Sequence, residues 1–205
     1  MTAAAAEPLD VAILDYGSGN LHSLGKALRA GGAAARVVPD PDEAAAARAL
    51  VLPGVGAFGA AAWRLRPALA GLRRALADGL PCLGICLGMQ LLFETSEEGA
   101  GEGLGVLGGR VRRLRAPRLP HMGWNDVEPV GDDPVTGGEP LIAYYAHGFA
   151  AEPAEPRDVV AWTSYGADRF PAAVRRDRVW GVQFHPEKSG DAGLRLLRRF
   201  VEAAR

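Results

Sequence analysis

Short apolar runs alternate with amphipathic stretches along the first half of the chain. The pattern predicts strands at 9–15, 36–38, 49–52 and 80–85, and helices at 21–30, after Pro41, from 58 to 78 with a break at Pro67, and from 87 to 93. Strands that alternate with helices form βαβ units. This half therefore predicts a parallel sheet with helices on both faces.

The pattern changes after Gly99, where short strand-like segments alternate with glycine and proline turns. These segments lie at 111–114, 141–149, 159–165, 172–176 and 179–184, and one closing helix follows at 192–203. They predict an antiparallel extension of the sheet. The expected architecture is a single α/β domain over 9–205 with a mostly parallel central sheet, preceded by a disordered tail at 1–8.

Composition and charge exclude several classes of protein. Hydrophobic residues make up 48% and charged residues 23%, which is typical of a globular chain. The 23 basic and 24 acidic residues give a net charge of −1, so we expect no nucleic-acid partner. The apolar runs are shorter than the roughly 20 residues that cross a bilayer, and the N-terminus lacks the basic region of a signal peptide. We therefore expect a cytoplasmic protein with no membrane partner.

The segment Gly84-Ile85-Cys86-Leu87-Gly88 joins a predicted strand to a predicted helix. It is the cysteine counterpart of the nucleophile elbow, in which glycines permit a tight turn that presents the central side chain. A helix N-terminus favours a thiolate, and the N–H of Leu87 is placed to stabilise an oxyanion. A buried cysteine in an ordinary βα turn fits the pattern as well. Cys82, inside the strand, is expected to be inert core.

A second candidate segment, His185-Pro186-Glu187, lies near the C-terminus. In extended backbone, residues two apart face the same side, so Glu187 can orient His185 as the base for Cys86. A hydrogen-bonded loop histidine in a surface turn is the alternative. No third metal ligand is evident nearby, and neither a phosphate loop nor a dinucleotide fingerprint occurs, so we predict no metal and no cofactor.

Several motifs, in this order and spacing, resemble the class I (triad) glutamine amidotransferases, and among them the glutaminase subunits of imidazole glycerol phosphate synthases. The motifs are Asp15-Tyr16-Gly17-Ser18-Gly19-Asn20-Leu21, Pro53-Gly54-Val55-Gly56-Ala57-Phe58, Gly84-Ile85-Cys86-Leu87-Gly88-Met89-Gln90, Leu91-Leu92-Phe93-Glu94, Ser96-Glu97-Glu98-Gly99, Pro120-His121-Met122-Gly123-Trp124-Asn125 and His185-Pro186-Glu187-Lys188-Ser189. The resemblance runs from about Val11 to the last helix.

The resemblance implies that Cys86 attacks the carboxamide of L-glutamine, with His185 as base and later acid and Glu187 holding the imidazole. It implies main-chain oxyanion donors at Leu87 and Val55. The glutamine-binding residues that it implies are Gly54, Gln90, Glu98, Tyr144, His147 and Gly148. Gly148 and Phe149 replace residues that carry hydroxyl groups in the family, and His147 is interpreted as a structural or substrate-lining residue.

The resemblance also implies a partner, the cyclase subunit, with which the chain would form a heterodimer. The ammonia would serve the cyclase in making imidazole glycerol phosphate and AICAR from a phosphoribulosyl-formimino-aminoimidazole carboxamide ribonucleotide, in histidine biosynthesis. The implied interface residues are Asn20, His121, Met122, Trp124, Asn125 and Lys188. By its residues alone, the segment 120–125 is a polar loop that fits an interface hot spot and a core-capping loop equally well.

Three other hypotheses follow from the same residues. The chain could be the glutaminase subunit of another ammonia-channelling synthase, for anthranilate, aminodeoxychorismate or pyridoxal phosphate. It could be a cysteine hydrolase that acts on peptides, although Gln90 and Glu98 favour an amino-acid substrate. It could be a catalytically inactive scaffold, although a binding module does not need Cys86, His185 and Glu187 together.

Overall fold

A computed structural model describes residues 7–17 and 21–205. Residues 1–6 of the expected tail and the expected interface residue Asn20 lie outside this part of the chain. None of the helices in the described residues combines the length and the apolar character that a membrane crossing requires.

The described residues form twelve strands and six α-helices. The strands are β1 (Leu9–Leu14), β2 (Ala33–Val38), β3 (Ala49–Leu52), β4 (Cys82–Ile85), β5 (Thr95–Ser96), β6 (Gly109–Arg113), β7 (His121–Pro129), β8 (Leu141–His147), β9 (Phe149–Pro153), β10 (Val159–Tyr165), β11 (Asp168–Arg176) and β12 (Val179–Val182). The helices are α1 (Leu21–Ala30), α2 (Pro41–Ala45), α3 (Phe58–Leu65), α4 (Leu69–Ala77), α5 (Leu87–Gln90) and α6 (Gly190–Ala203).

Nine of these strands form one large sheet in the order β2-β1-β3-β4-β12-β11-β10-β7-β8. The first five run parallel, and the rest extend the same sheet with antiparallel pairs. The predicted α/β architecture with its antiparallel extension is therefore confirmed. A smaller sheet, in the order β5-β6-β9, was not predicted.

Two hydrophobic cores cover the two faces of the large sheet. Along β1, Val11 and Ile13 belong to the core beneath α1 and α6. Ala12 and Leu14, which alternate with them, belong to the core beneath α2 to α5. Both faces of a parallel strand are thus buried, which is why its sequence is apolar throughout rather than alternating.

Two segments of the second half differ from their predictions. Residues 121–129 form the regular strand β7 instead of a polar loop, because they pair in register with β8. The predicted strand 141–149 is two strands that belong to different sheets, divided at Gly148. The predicted helix 87–93 is also shorter, since α5 ends at Gln90. The break expected at Pro67 is present as a 3-10 turn between α3 and α4.

The chemistry-bearing segments follow three neighbouring parallel strands. Residues 53–56 follow β3, Cys86 follows β4, and residues 183–188 follow β12. Since β3, β4 and β12 lie side by side and run parallel, their carboxyl ends meet at one edge of the sheet. This edge is where open α/β sheets bind their ligands.

Candidate active site

Cys86 stands at a strained turn between β4 and α5. Its φ of 52° is in the left-handed region, which non-glycine residues rarely adopt. Its N–H donates a 2.7 Å hydrogen bond to the carbonyl of Val182 in β12. A Cβ at Gly84 would lie 2.6 Å from the carbonyl oxygen of Gly88, and one at Gly88 would overlap the carbonyl oxygen of Leu52. The flanking glycines are therefore required by close packing, and the backbone strain is carried by Cys86 itself.

Cys82 lies in the interior of β4 and is fully buried. Burial raises the pKa of its thiol well above the ordinary value. A thiol that resists ionisation is a poor nucleophile, because the thiolate is the reactive form. The geometry supports the interpretation of Cys82 as core and leaves Cys86 as the candidate nucleophile.

His185 and Glu187 are joined by a hydrogen bond of 2.9 Å between Nδ1 and Oε1. The geometry differs from the expected extended segment, because Pro186–Lys188 forms a 3-10 turn that brings the carboxylate back to the ring. The backbone of His185 is held by three further bonds. Its N–H donates to the carbonyl of Tyr144 at 2.9 Å, and its carbonyl accepts from Ser189 Oγ at 2.6 Å and from the N–H of Lys188 at 3.0 Å. The ring is thereby fixed in position.

The environment of His185 favours its protonated form. Burial by itself lowers the pKa of His185, but its interactions with Cys86 and Glu187 outweigh burial and raise the pKa above the ordinary 6.5. Nε2 of His185 and Oε2 of Glu187 are buried and have no hydrogen-bond partner among the described residues. Since Glu187 occupies Nδ1, Nε2 is the ring atom left to exchange a proton with Cys86.

A cavity of about 170 Å³ opens beside Cys86. Its walls are formed by Val55, Gly56, Cys86, Leu87, Gln90, Glu98, Pro120, Ala146, His147, Gly148 and Phe149. Seven residues of the predicted site are among them, whereas Gly54, Tyr144, His185 and Glu187 are not. Gly54, His185 and Glu187 line a separate small cavity that shares Val55 with this one. The cavity beside Cys86 is smaller than the pockets of about 300–1,000 Å³ that hold drug-sized ligands, so its size suits a small metabolite.

The segment that contains Gly54 and Val55 packs directly on the elbow. A Cβ at Gly54 would lie 2.5 Å from Cβ of Leu87, so only glycine allows this approach. The carbonyl of the preceding Pro53 accepts a hydrogen bond from the Tyr16 hydroxyl. Leu87 is the first residue of α5, so its N–H has no acceptor within that helix. The two expected oxyanion donors therefore come from adjacent segments.

Gln90 and Glu98 line the cavity, and their side chains also form hydrogen bonds to neighbouring segments around it. Nε2 of Gln90 donates to the carbonyl of Phe149 at 2.9 Å and to Oε1 of Gln183 at 3.1 Å. Oε2 of Glu98 accepts a 2.8 Å hydrogen bond from the N–H of Phe58, the first residue of α3. Glu98 thus caps a helix that has no side-chain cap of its own, and it fixes the loop after Val55.

His147 lines the cavity as a neutral ring. Its Nδ1 bonds to the carbonyl of Phe149 at 2.8 Å, and its Nε2 to Nδ1 of His121 at 3.1 Å. Burial lowers the pKa of His147 to about 3 and that of His121 to about 4. His147 is therefore a wall of the cavity rather than a second base. The side chain of His121, only 2% exposed, points into the sheet and not toward a partner surface.

The side chains on the other face of β7 and β8, which alternate with the buried His121 and His147, form an outward row that is largely exposed. Met122 and Trp124 are 64% and 59% exposed, and Ile142 on β8 is 56% exposed. The rings of Trp124 and Tyr144 pack edge to face, with their centres 6.0 Å apart. Nζ of Lys188 lies 5.7 Å from the centre of the Tyr144 ring. Strand alternation thus divides the segment 120–125 into an inward row, with His121 and a half-buried Asn125, and an outward apolar row.

Sequence reasoning missed Gln183, whose Nε2 lies 3.5 Å from Sγ of Cys86. The available signal was its place two residues before His185 in an extended segment. Ile142 was also missed, although it alternates with Tyr144 along β8.

A second cavity, of about 670 Å³, lies at the opposite end of β4 and β12. Its three arginines already have partners. Arg73 bonds to Glu102 and to two backbone carbonyls, Arg176 bonds to Asp158, and Arg178 bonds to the carbonyl of Ala203. Neither cysteine nor histidine lines this cavity. The smaller cavity beside Cys86 is therefore the candidate active site.

Comparison with known proteins gives a consistent result. Residues 12–204 match the family model described as glutamine amidotransferase class-I. A protein of Synechococcus elongatus named imidazole glycerol phosphate synthase subunit HisH is 47% identical over 93% of this chain and 92% of its own. A protein of the same name from Methanothermobacter thermautotrophicus is 48% identical over 95% of this chain and 99% of its own. A crystal structure of a glutamine amidotransferase superposes with a TM-score of 0.76 at 25% identity, covering 95% of this chain and 98% of that one. The chain therefore belongs to the class I glutamine amidotransferase family.

Proposed function

We propose that this chain is the glutaminase subunit of an imidazole glycerol phosphate synthase. It hydrolyses L-glutamine to L-glutamate and ammonia for a cyclase subunit in histidine biosynthesis. The observation that carries the catalytic part is the placement of Cys86, His185 and Glu187 at one edge of the sheet, where Glu187 bonds to the His185 ring and that ring interacts with Cys86. Nε2 of His185 is buried and has no hydrogen-bond partner among the described residues. The near full-length likeness to proteins named as subunits of this synthase carries the choice of partner.

The reaction follows from the roles of the three side chains. Nε2 of His185 takes the thiol proton of Cys86, and Sγ forms a bond to the carboxamide carbon of glutamine. His185 then gives the proton to the departing nitrogen, the C–N bond breaks, and ammonia leaves a glutamyl thioester. A water molecule, deprotonated by the same ring, cleaves the C–S bond and releases glutamate. Glu187 holds the ring and stabilises its charged form throughout.

The oxyanion of each tetrahedral intermediate accepts hydrogen bonds from the N–H groups of Leu87 and Val55. Val55 borders the cavity at Cys86 and also a separate small cavity lined by His185, Glu187 and Lys188. Space on both sides supports a rotation of the Gly54–Val55 peptide. We assign the switch between slow and fast turnover to this rotation, driven by the cyclase when it holds its ribonucleotide.

The outward row of β7 and β8 is the proposed docking face for the cyclase. Met122, Trp124 and Ile142 give it the exposed apolar centre that interfaces need, and Lys188 places a cation beside the aromatic pair. Ala146 belongs to the same outward row and lines the catalytic cavity. The cavity and the docking face are thus contiguous along β8, so ammonia has a short route to the partner. His121 and Asn125 support this face from within.

The proposal is tested by purifying the chain alone and with the cyclase, and by measuring glutamate release from glutamine. We expect slow hydrolysis by the free chain, a large rise in kcat when the cyclase and its ribonucleotide are added, and no hydrolysis by Cys86→Ala in either state. Trp124→Ala, which leaves the triad intact, should weaken the complex and retain the slow basal rate. No stimulation by this cyclase would refute the choice of partner, and activity of Cys86→Ala would refute the mechanism.

A further inference from the structure

The side chain of Gln183 is fully buried at the end of β12 and is not one of the three proposed triad residues. It bonds to Gln90 on one side, and its Nε2 lies 3.5 Å from Sγ of Cys86 on the other. Its N–H donates to the carbonyl of Ala172 at 2.9 Å, so its backbone is part of the sheet. Gln183 stands two residues before His185, whose ring also interacts with Cys86.

The orientation of the Gln183 amide follows from its neighbours. The carbonyl of Phe149 can only accept, so the amide group that faces it from Gln90 is the nitrogen. The second proton on this nitrogen is directed at Gln183, and the Gln183 atom that receives it is therefore the oxygen. The nitrogen of Gln183 is left to face the sulfur of Cys86. Gln90 therefore donates a hydrogen bond to Gln183, and Gln183 donates one to Cys86.

We propose that Gln183 is a further catalytic residue, which donates a hydrogen bond to Sγ of Cys86 and stabilises the thiolate before it attacks. This inference rests on the proposed role of Cys86 as the nucleophile. Cys86 is only 5% exposed, so water cannot solvate its anion freely. A buried anion needs donors from the protein, and a hydrogen bond to the charged form favours that form. Gln183 supplies such a donor, and Gln90 is the positioning residue that keeps the amide turned toward the sulfur.

This role has a consequence for Gln90. Both protons of its amide nitrogen are used, on Phe149 and on Gln183. Gln90 therefore offers only Oε1 to a ligand in the cavity and binds a donor, such as the amide or ammonium group of the substrate.

The test uses Gln183→Met, which has a similar length and no N–H donor. The rate of Cys86 alkylation by iodoacetamide is measured against pH in a Cys82→Ala background, so that one thiol remains. Loss of a hydrogen bond to a charged group should move the midpoint of this profile upward by about one to two pH units. The kcat for glutamine should fall with little change in KM, because Gln183 does not line the cavity. Val182→Ala, which removes neighbouring core packing, should lower the melting temperature and leave the midpoint unchanged.

A folded Gln183→Met with the wild-type midpoint would overturn the proposal. If this variant does not fold, Gln90→Met gives a second test, because it leaves Gln183 free to turn away from the sulfur. Gln90→Met should raise the midpoint in the same direction, and an unchanged midpoint would again overturn the proposal. Protection of wild-type Cys86 by glutamine is measured separately. Its absence would refute the glutaminase function and not the hydrogen bond to the thiolate.

Discussion

Replacing Gly54 by alanine tests whether the segment after β3 supplies an oxyanion donor. The added Cβ would lie 2.5 Å from Cβ of Leu87 and 2.8 Å from the N of Gly88. Carbon atoms in contact are separated by about 3.5–4.0 Å, so the segment must move by about 1 Å. A misplacement of about 1 Å costs about 10²-fold in rate, and the loss of one oxyanion donor costs about 10²–10³-fold. We therefore expect kcat to fall about 10²-fold, which corresponds to about 2.7 kcal/mol of transition-state stabilisation.

The assay is glutamate formation by the complex with the cyclase and its ribonucleotide, where the donor is expected to be engaged. Alkylation of Cys86 should proceed at the wild-type rate, because the substitution does not touch the thiol. Gly131→Ala is the matched control, since its Cβ would meet no atom within 4 Å. If Gly54→Ala melts like the wild type and keeps more than about a third of its kcat, the segment is not the donor.

Four further outcomes follow from the geometry. Glu187→Gln should lower kcat by roughly 10²–10⁴-fold with KM nearly unchanged, because the carboxylate orients His185 and does not line the cavity; a wild-type kcat would assign that orientation to another group. The pKa of His185 is raised in the folded chain, so the stability from its charged form is complete below pH 6.5 and is lost as the pH rises through the raised pKa. Urea titrations of wild type and Glu187→Gln should therefore differ most at about pH 5–6.5, where His185 is charged and the carboxylate is still ionised, and a gap that widens as the pH rises above this range would contradict this sign. Cys82→Ala should keep glutamine-protected alkylation, whereas Cys86→Ser should lose it, as mass spectrometry of the labelled chain will show. Asp168→Ala should lower the free energy of unfolding by about 3–5 kcal/mol in chemical denaturation, because it leaves the guanidinium of Arg112 buried without the carboxylate that accepts two of its hydrogen bonds. A decrease of less than about 1 kcal/mol would mean that water reaches the site.

Much of the candidate site could be predicted from the sequence because its residues follow strand ends directly. The apolar runs before Pro53, Cys86 and Gln183 are buried on both faces, and such runs are detectable without any knowledge of their partners. Parallel strands then bring their carboxyl ends to one edge. The glycines on either side of Cys86 indicated the nucleophile elbow, because this motif is also confined to a few consecutive residues.

The segments that could not be predicted depend on pairing between distant parts of the chain. Residues 121–129 are a strand because β8 pairs with them, and their mixed polar sequence alone fits a loop. This pairing turns His121 inward, where burial keeps it neutral, and turns Met122 and Trp124 outward. The division of this segment between core residues and the proposed docking face was therefore decided by the sheet.

The sequence by itself determined the class of fold and the family, and it predicted the three side chains that we propose as the triad, because each depends on local periodicity or on a short motif. Only the tertiary structure decided how those side chains meet. It brought His185 back to Glu187 through a turn, and it closed the cavity with Ala146 and Phe149. It also placed the amide of Gln183 against Cys86, across 97 residues of sequence. Hydrogen bonds of this kind are fixed by the packing of whole strands, and no local pattern of residues encodes them.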